Sequence, residues 1–242
     1  MTWRLVMDRT MLVLGAGSGT GAAVARRFGR EGFHVAVVGR RREPLDTLVA
    51  DLAGRGVSAT AFSVDLTDDI RVEELLTAVD TTLPPIEAIY YGPSSPVAFT
   101  PARDLTAAEA DHYWALFVRP LIRTVSAALP GMIDRKRGTI LATIGGTGAR
   151  AMPEMSGPGP AAAAARNYLQ GLHSEMAPHG VYVGLLTIGA LILGSEMAAI
   201  TPGDAHGFPT VESAALAEHL WGMSTVRSTF ENFVPRDSAF QS

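Results

Sequence analysis

The sequence predicts an α/β fold, a parallel sheet with helices on both faces, and three observations carry that prediction. Short apolar runs alternate with helix-patterned stretches along most of the chain, the signature of strands buried on both faces and joined by crossover helices. The first run ends in a cluster of glycines that opens a helical pattern. A length of 242 residues, 47% apolar and 18% charged, is enough for one sizeable core, so a single domain over residues 1–242 is expected.

The elements follow in order. Residues 11–14 form a buried strand that stops at Gly15, and residues 22–28 carry the apolar spacing of a helix. A strand over 35–38, a helix over 45–52 and a strand over 59–64 closing on Asp65 continue the alternation. Next come a helix over 72–79, a strand over 88–91 and a helix over 107–129. Pro120 should kink that helix, because proline lacks an amide hydrogen and its ring crowds the carbonyl four residues earlier. A strand over 138–144 runs into Gly145, Gly146 and Thr147, and a helix over 161–176 and a strand over 181–186 follow. Residues 191–210 are broken by Gly194, Pro202, Gly203, Gly207 and Pro209. An irregular segment of that length is usually functional or mobile, so 191–210 reads as a lid over a substrate pocket. A last helix covers 211–223.

Composition narrows the function classes. A net charge of −4, with the 20 basic residues mostly scattered, excludes a nucleic-acid footprint, which needs clustered Lys and Arg. Without cysteine there are no disulfides and no thiolate metal sites, and the cytoplasm is the expected compartment. The N-terminus lacks a signal-peptide pattern, and no apolar run reaches the roughly 18 residues of a membrane span. No membrane partner is expected. His173 and His179 stand six apart without further ligands, and His112 and His173 sit on helices, so no metal is expected either.

The glycine cluster carries chemistry. Gly15, Gly17, Gly19 and Gly21, with Ser18 and Thr20 between them, join a buried strand to a helix. Such a loop lets the backbone approach a pyrophosphate, and the helix N-terminus supplies amide donors to it. The second strand ends at Val38, where an NAD site typically places a carboxylate for the ribose hydroxyls. Here Gly39, Arg40 and Arg41 follow. Guanidinium groups pair with a 2′-phosphate, so the expected cofactor is NADP(H).

With the Gly15, Gly19, Gly21 spacing, Asp65 after the third strand and the segment 138–146, the chain resembles the short-chain dehydrogenase/reductase family over nearly its whole length. The resemblance implies a single Rossmann-like doubly wound parallel sheet of about seven strands. It also implies a small-molecule substrate and a homodimer or homotetramer. It assigns Asp65 to the adenine, with a helix cap as the alternative role, and extends the cofactor contacts to Leu66, Gly92 and Gly189.

The family's proton relay does not carry over. Its Ser falls on Gly145, its Tyr thirteen residues later on Pro158, its Lys on Ala162 and its Asn on Phe117. No Tyr occurs between Tyr113 and Tyr168 and no Lys follows Lys136, so no neighbouring register restores a Tyr-x-x-x-Lys pair. Positioned general acid catalysis is typically worth about 10²- to 10⁴-fold in rate. The expected activity is therefore an NADP(H)-dependent oxidation or reduction that handles its proton differently, on an apolar substrate. Two alternatives stay open: a catalytically silent NADP(H)-binding regulatory protein, and a cyclase, dehydratase or isomerase reusing the fold.

Candidate replacements for the proton donor are few. Tyr91 borders the expected nicotinamide face, and Thr143 and Thr147 flank the lost Ser. Glu154 is the one acid between the fifth strand and the Ala-rich helix, beside Arg150, Met152 and Met155. Surrounded by methionines, its carboxyl would be desolvated and could serve as an acid.

Overall fold

The computed structural model describes residues 8–95, 99–200 and 209–236. Seven strands form one parallel sheet: β1 (Thr10–Leu14), β2 (His34–Gly39), β3 (Ala59–Ser63), β4 (Ile86–Tyr91), β5 (Gly138–Gly145), β6 (Val181–Ile188) and β9 (Glu231–Val234), in the order β3-β2-β1-β4-β5-β6-β9. A two-stranded parallel ribbon, β7 (Leu191–Leu193) with β8 (Thr210–Glu212), lies between β6 and β9 in the chain. The helices are α1 (Thr20–Arg30), α2 (Arg42–Gly54), α3 (Asp69–Thr82), α4 (Ala107–Phe117), α5 (Arg119–Asp134), α6 (Pro158–Met176), α7 (Glu196–Ile200) and α8 (Ser213–Val226). This is the Rossmann-like fold expected from the sequence.

Successive side chains of a strand point to opposite faces, and the core divides accordingly. Leu12, Leu14, Ile89, Tyr91, Ile140 and Ala142 join the buried faces of α3, α4, α5 and α6. Met11, Val13, Val35, Val37, Ala88 and Tyr90 pack with α1, α2 and α8 on the other side. The strand order runs outward in both directions from β1 and β4, which pair directly. That reversal opens a crevice at the carboxyl ends of the strands, where ligands of doubly wound sheets bind.

Several elements differ from the sequence reading, among them the span 191–210, read as irregular, which holds β7, α7 and the start of β8, whose last two residues were expected in the final helix. The helix expected over 107–129 is two helices, broken at Val118 (φ −112°, ψ −59°) rather than kinked at Pro120. Pro120 sits in the first turn of α5, where a missing amide hydrogen costs nothing. The Ala-rich helix begins at Pro158, three residues earlier than expected, with Pro158 and Pro160 in its first turn. The sequence reading placed no strand at β9, whose four residues are all half-buried and show no apolar alternation. Together α4 and α5 span 28 residues, long and apolar enough by length and composition alone to cross a bilayer, contrary to the expectation that no stretch would be. Here Tyr113, Leu116, Leu121, Val125 and Met132 of that stretch pack into the core.

Candidate active site

A cleft of about 590 Å³ follows the carboxyl ends of β1, β2, β4, β5 and β6. Each of β1, β4 and β6 is followed there by a glycine that lines it, Gly15, Gly92 and Gly189, and β5 ends in one, Gly145. The glycines permit close approach. Gly15 has φ +94°, and a Cβ on it would lie 2.5 Å from the Gly92 carbonyl oxygen. A Cβ on Gly21 would lie 2.1 Å from the Gly15 oxygen, so the loop is folded tightly against its own start.

The loop's outer side is open. Among the described residues, a Cβ on Gly17 would meet no atom within 4 Å beyond its two chain neighbours. The first turn of α1 carries no capping side chain and no acid, which leaves its N-terminal amides available to an anion. Gly17, Ser18, Gly19, Thr20 and Gly21 all line the cleft, and an open backbone cradle at a helix N-terminus fits the pyrophosphate of a dinucleotide. No acid stands at the end of β2, and Arg40 and Arg41, both exposed, line the same cleft. Arg41 donates to the carboxylate of Glu196 on α7.

Leu66 is buried in the cleft wall, whereas Asp65 is exposed beside it. The Asp65 carboxylate accepts from the Thr67 amide at 2.9 Å and the Thr67 hydroxyl at 2.8 Å. These bonds, the amide foremost, hold it below the ordinary carboxylate range. The helix cap is Asp68, which accepts from the amides of Ile70 and Arg71 at 3.1 and 3.2 Å. Capping, the alternative role of Asp65, thus belongs to its neighbour.

At the opposite end the cleft is bounded by Gly145, Thr147, Thr143 and Tyr90, with Phe99, Met152, Pro153 and Met155 as an apolar wall. Thr147 sits in a single 3-10 turn after β5. Its hydroxyl oxygen is 3.8 Å from where a Cβ on Gly145 would stand, and among the described residues no other atom outside Gly145 and its two chain neighbours comes within 4 Å of that point. Thr147 is therefore the side chain nearest the position onto which the resemblance maps a serine. Pro158 and Ala162, mapped to Tyr and Lys, are buried and do not line the cleft. The Ala162 methyl packs at Gly148, 2.9 Å from where a Cβ there would lie. Phe117 also stands off the cleft, with its ring 5.9 Å from that of Tyr113.

Two candidate proton donors are corrected. Tyr91 does not face the cleft: it is 3% exposed in the core beneath α4 to α6, its hydroxyl donates to the Leu116 carbonyl at 2.5 Å, and burial pushes its phenol well above the ordinary range. Glu154 does line the cleft, but in a left-handed conformation (φ 63°) and exposed, so the desolvation expected of it is absent. His173 is half-buried and hydrogen-bonded, its Nδ1 2.7 Å from the Val183 carbonyl. Among the described residues no group of three His, Asp or Glu could hold a metal ion.

The sequence reading passed over Tyr90, which strand alternation puts on the face opposite Tyr91. Tyr90 is 1% exposed, its hydroxyl lies 2.8 Å from Thr143 Oγ1, and burial, against that hydrogen bond, pushes it up to about 12. Ser195 and Glu196 were missed as well. A Cβ on Gly19 would lie 3.3 Å from the Ser195 Cβ, so the segment after β7 rests on the glycine loop.

With this geometry, a family model described as short chain dehydrogenase matches residues 9–201. A glycine betaine reductase of Emericella nidulans is 29% identical over 175 residues, 72% of this chain but 14% of that much longer protein. Among solved structures, a metagenomic short-chain oxidoreductase in complex with NADP superposes with a TM-score of 0.78 at 20% identity, over 95% of this chain and 96% of that one. A 7α-hydroxysteroid dehydrogenase complexed with NADH and 7-oxo glycochenodeoxycholic acid gives 0.84 at 17% identity, over 98% and 97%.

Proposed function

Given that the chain belongs to the short-chain dehydrogenase family, we propose that it is an oxidoreductase that uses NADP(H) on an apolar small-molecule substrate without a Tyr-x-x-x-Lys proton relay. The observation that carries the reading is the continuity of one cleft from Arg40 and Arg41, past the open glycine loop, to the wall of Phe99, Met152 and Met155. When bound, the reduced nicotinamide supplies hydride.

The chain's own residues divide the remaining work. The amides from Gly17 to Gly21 bind the pyrophosphate, Arg40 and Arg41 the 2′-phosphate, Asp65 and Leu66 the adenine side, and Gly92 and Gly189 flank the nicotinamide half. Thr147 offers a hydroxyl to the carbonyl oxygen of a quinone-type acceptor beside the space left open at Gly145, whereas an iminium, with no lone pair to accept it, needs no such donor. Such a donor orients an acceptor without being an acid. Acceptors that need little protonation, an iminium or an activated quinone, are therefore favoured over simple ketones.

We further propose a single domain in which residues 191–210 act as a lid over the cleft, their described part resting on its cofactor end, with Ser195 at Gly19 and Glu196 at Arg41. β7, α7 and the first residue of β8 belong to that span, while residues 201–208 lie outside the described residues. A cytoplasmic homodimer or homotetramer completes the proposal. The test is turnover: loss of the reduced-nicotinamide absorbance of NADPH with a quinone or cyclic iminium, against a panel of simple ketones. NADPH consumption with the activated acceptors and little with ketones is the expected result. Rapid reduction of ketones, or no consumption with any acceptor, sinks the reading.

A further inference from the structure

The cleft end that holds Arg40 and Arg41 contains one side chain that a site built for an extra phosphate does not need, Glu196. It comes from a separate part of the chain, 155 residues beyond Arg41, and its carboxylate accepts from the Arg41 guanidinium across the mouth of the cleft. Its position is fixed from two sides. The β7–β8 ribbon, closed by the Leu191 amide donating to the Pro209 carbonyl at 2.8 Å, anchors the segment. Ser195 sits on Gly19 and caps α7, its hydroxyl accepting from the Ala198 amide at 3.1 Å. The following residue, Arg42, is taken by Asp46 at 2.8 Å on its own helix. Arg41 is thus the cation of the Arg40–Arg42 run whose partner reaches it from across the cleft.

We infer that Glu196 is a specificity-determining residue: its carboxylate competes with the nucleotide's 2′-phosphate for Arg41 and so weakens the preference for the phosphorylated cofactor. The inference rests on the NADP(H) reading above. Its physical basis is charge. A 2′-phosphate entering beside Glu196 must displace one anion from Arg41 and then lie next to it, whereas a 2′-hydroxyl can donate to that carboxylate. Both partners of the pair are exposed, at 69% and 53%, so the effect is modest and screened by salt.

The test is calorimetric titration of the wild type and of Glu196→Gln with 2′,5′-ADP and with 5′-AMP, which read the adenosine end alone. In the variant 2′,5′-ADP should bind roughly two- to five-fold more tightly, the scale of an exposed ion pair, with 5′-AMP unchanged or weaker. The gain should shrink at high salt and be reduced when Arg41→Gln is combined with it, leaving only the direct repulsion between carboxylate and phosphate. Unchanged or weaker 2′,5′-ADP binding in Glu196→Gln overturns the inference, as does a gain as large without Arg41 as with it. A wild type that binds neither NADPH nor 2′,5′-ADP overturns instead the cofactor reading on which it rests.

Discussion

The Tyr91 hydroxyl donates to the Leu116 carbonyl at 2.5 Å, and Leu116 is the residue whose carbonyl an amide at position 120 would have bonded in a continuous helix. Position 120 is proline. The chain gives up one helical hydrogen bond where α4 turns into α5, and a buried phenol on the neighbouring strand replaces it. Tyr91 is thereby a structural residue.

Replacing Tyr91 with Phe should leave the Leu116 carbonyl buried and unpaired, at a cost of about 1–3 kcal/mol. Urea unfolding measures that loss. NADPH affinity should stay within two-fold of the wild type, since the side chain is off the cleft. A loss of turnover larger than the loss of folded protein would show that Tyr91 acts in the reaction.

Thr147→Val keeps the shape of the wall and removes its hydroxyl. With a quinone acceptor that turns over, kcat should fall roughly 10²-fold, the scale of one positioned donor, with cofactor affinity unchanged. Unaltered kcat would remove Thr147 from the site.

Gly15→Ala should cost about 2–4 kcal/mol, because it combines a positive φ with a Cβ 2.5 Å from the Gly92 oxygen. Thermal unfolding reads this directly. Gly17→Ala, whose Cβ would meet nothing beyond its chain neighbours within 4 Å among the described residues, should leave the Tm nearly unchanged while weakening NADPH binding. Equal effects of the two substitutions would contradict the assignment of Gly15 to packing and Gly17 to the cofactor.

Tyr90 and Tyr182 are both pushed up to about 12, burial being the larger cause in each. The unfolded chain then releases these protons near the ordinary tyrosine value of about 10 while the folded chain holds them. It follows that their contribution to stability is intact below about pH 10 and is lost as pH rises toward about 12. Urea midpoints taken across that window should fall for the wild type and less steeply for Tyr90→Phe. Parallel slopes would show that Tyr90 titrates normally.

Much of this was legible in the sequence because it rests on local rules. Gly15 to Gly21 after an apolar run, the alternation of strands and helices, and the absence of a Tyr-x-x-x-Lys pair all follow from nearest-neighbour patterns. What escaped depends on long-range geometry. Tyr90 and Tyr91 are chemically identical neighbours, and only the packing of helices onto each sheet face decides which of them meets the cleft. The break at Val118 precedes the proline that causes it by two residues, because proline is accepted inside a first turn. Strand β9 is short and lacks apolar alternation, and it is recognisable through its pairing with β6. Its Glu231 is held by Arg166 at 2.6 Å and by Thr187 at 2.6 Å, contacts that no spacing rule announces. Glu196 likewise meets Arg41 from the far part of the chain.

The central claim is that this cleft holds a phosphorylated nicotinamide cofactor, and calorimetric titration of the purified chain with NADPH and with NADH tests it most directly. The account predicts saturable NADPH binding, tighter than NADH, with the difference abolished in an Arg40→Ala, Arg41→Ala double variant. Tighter binding of NADH, or no binding of either, would contradict it.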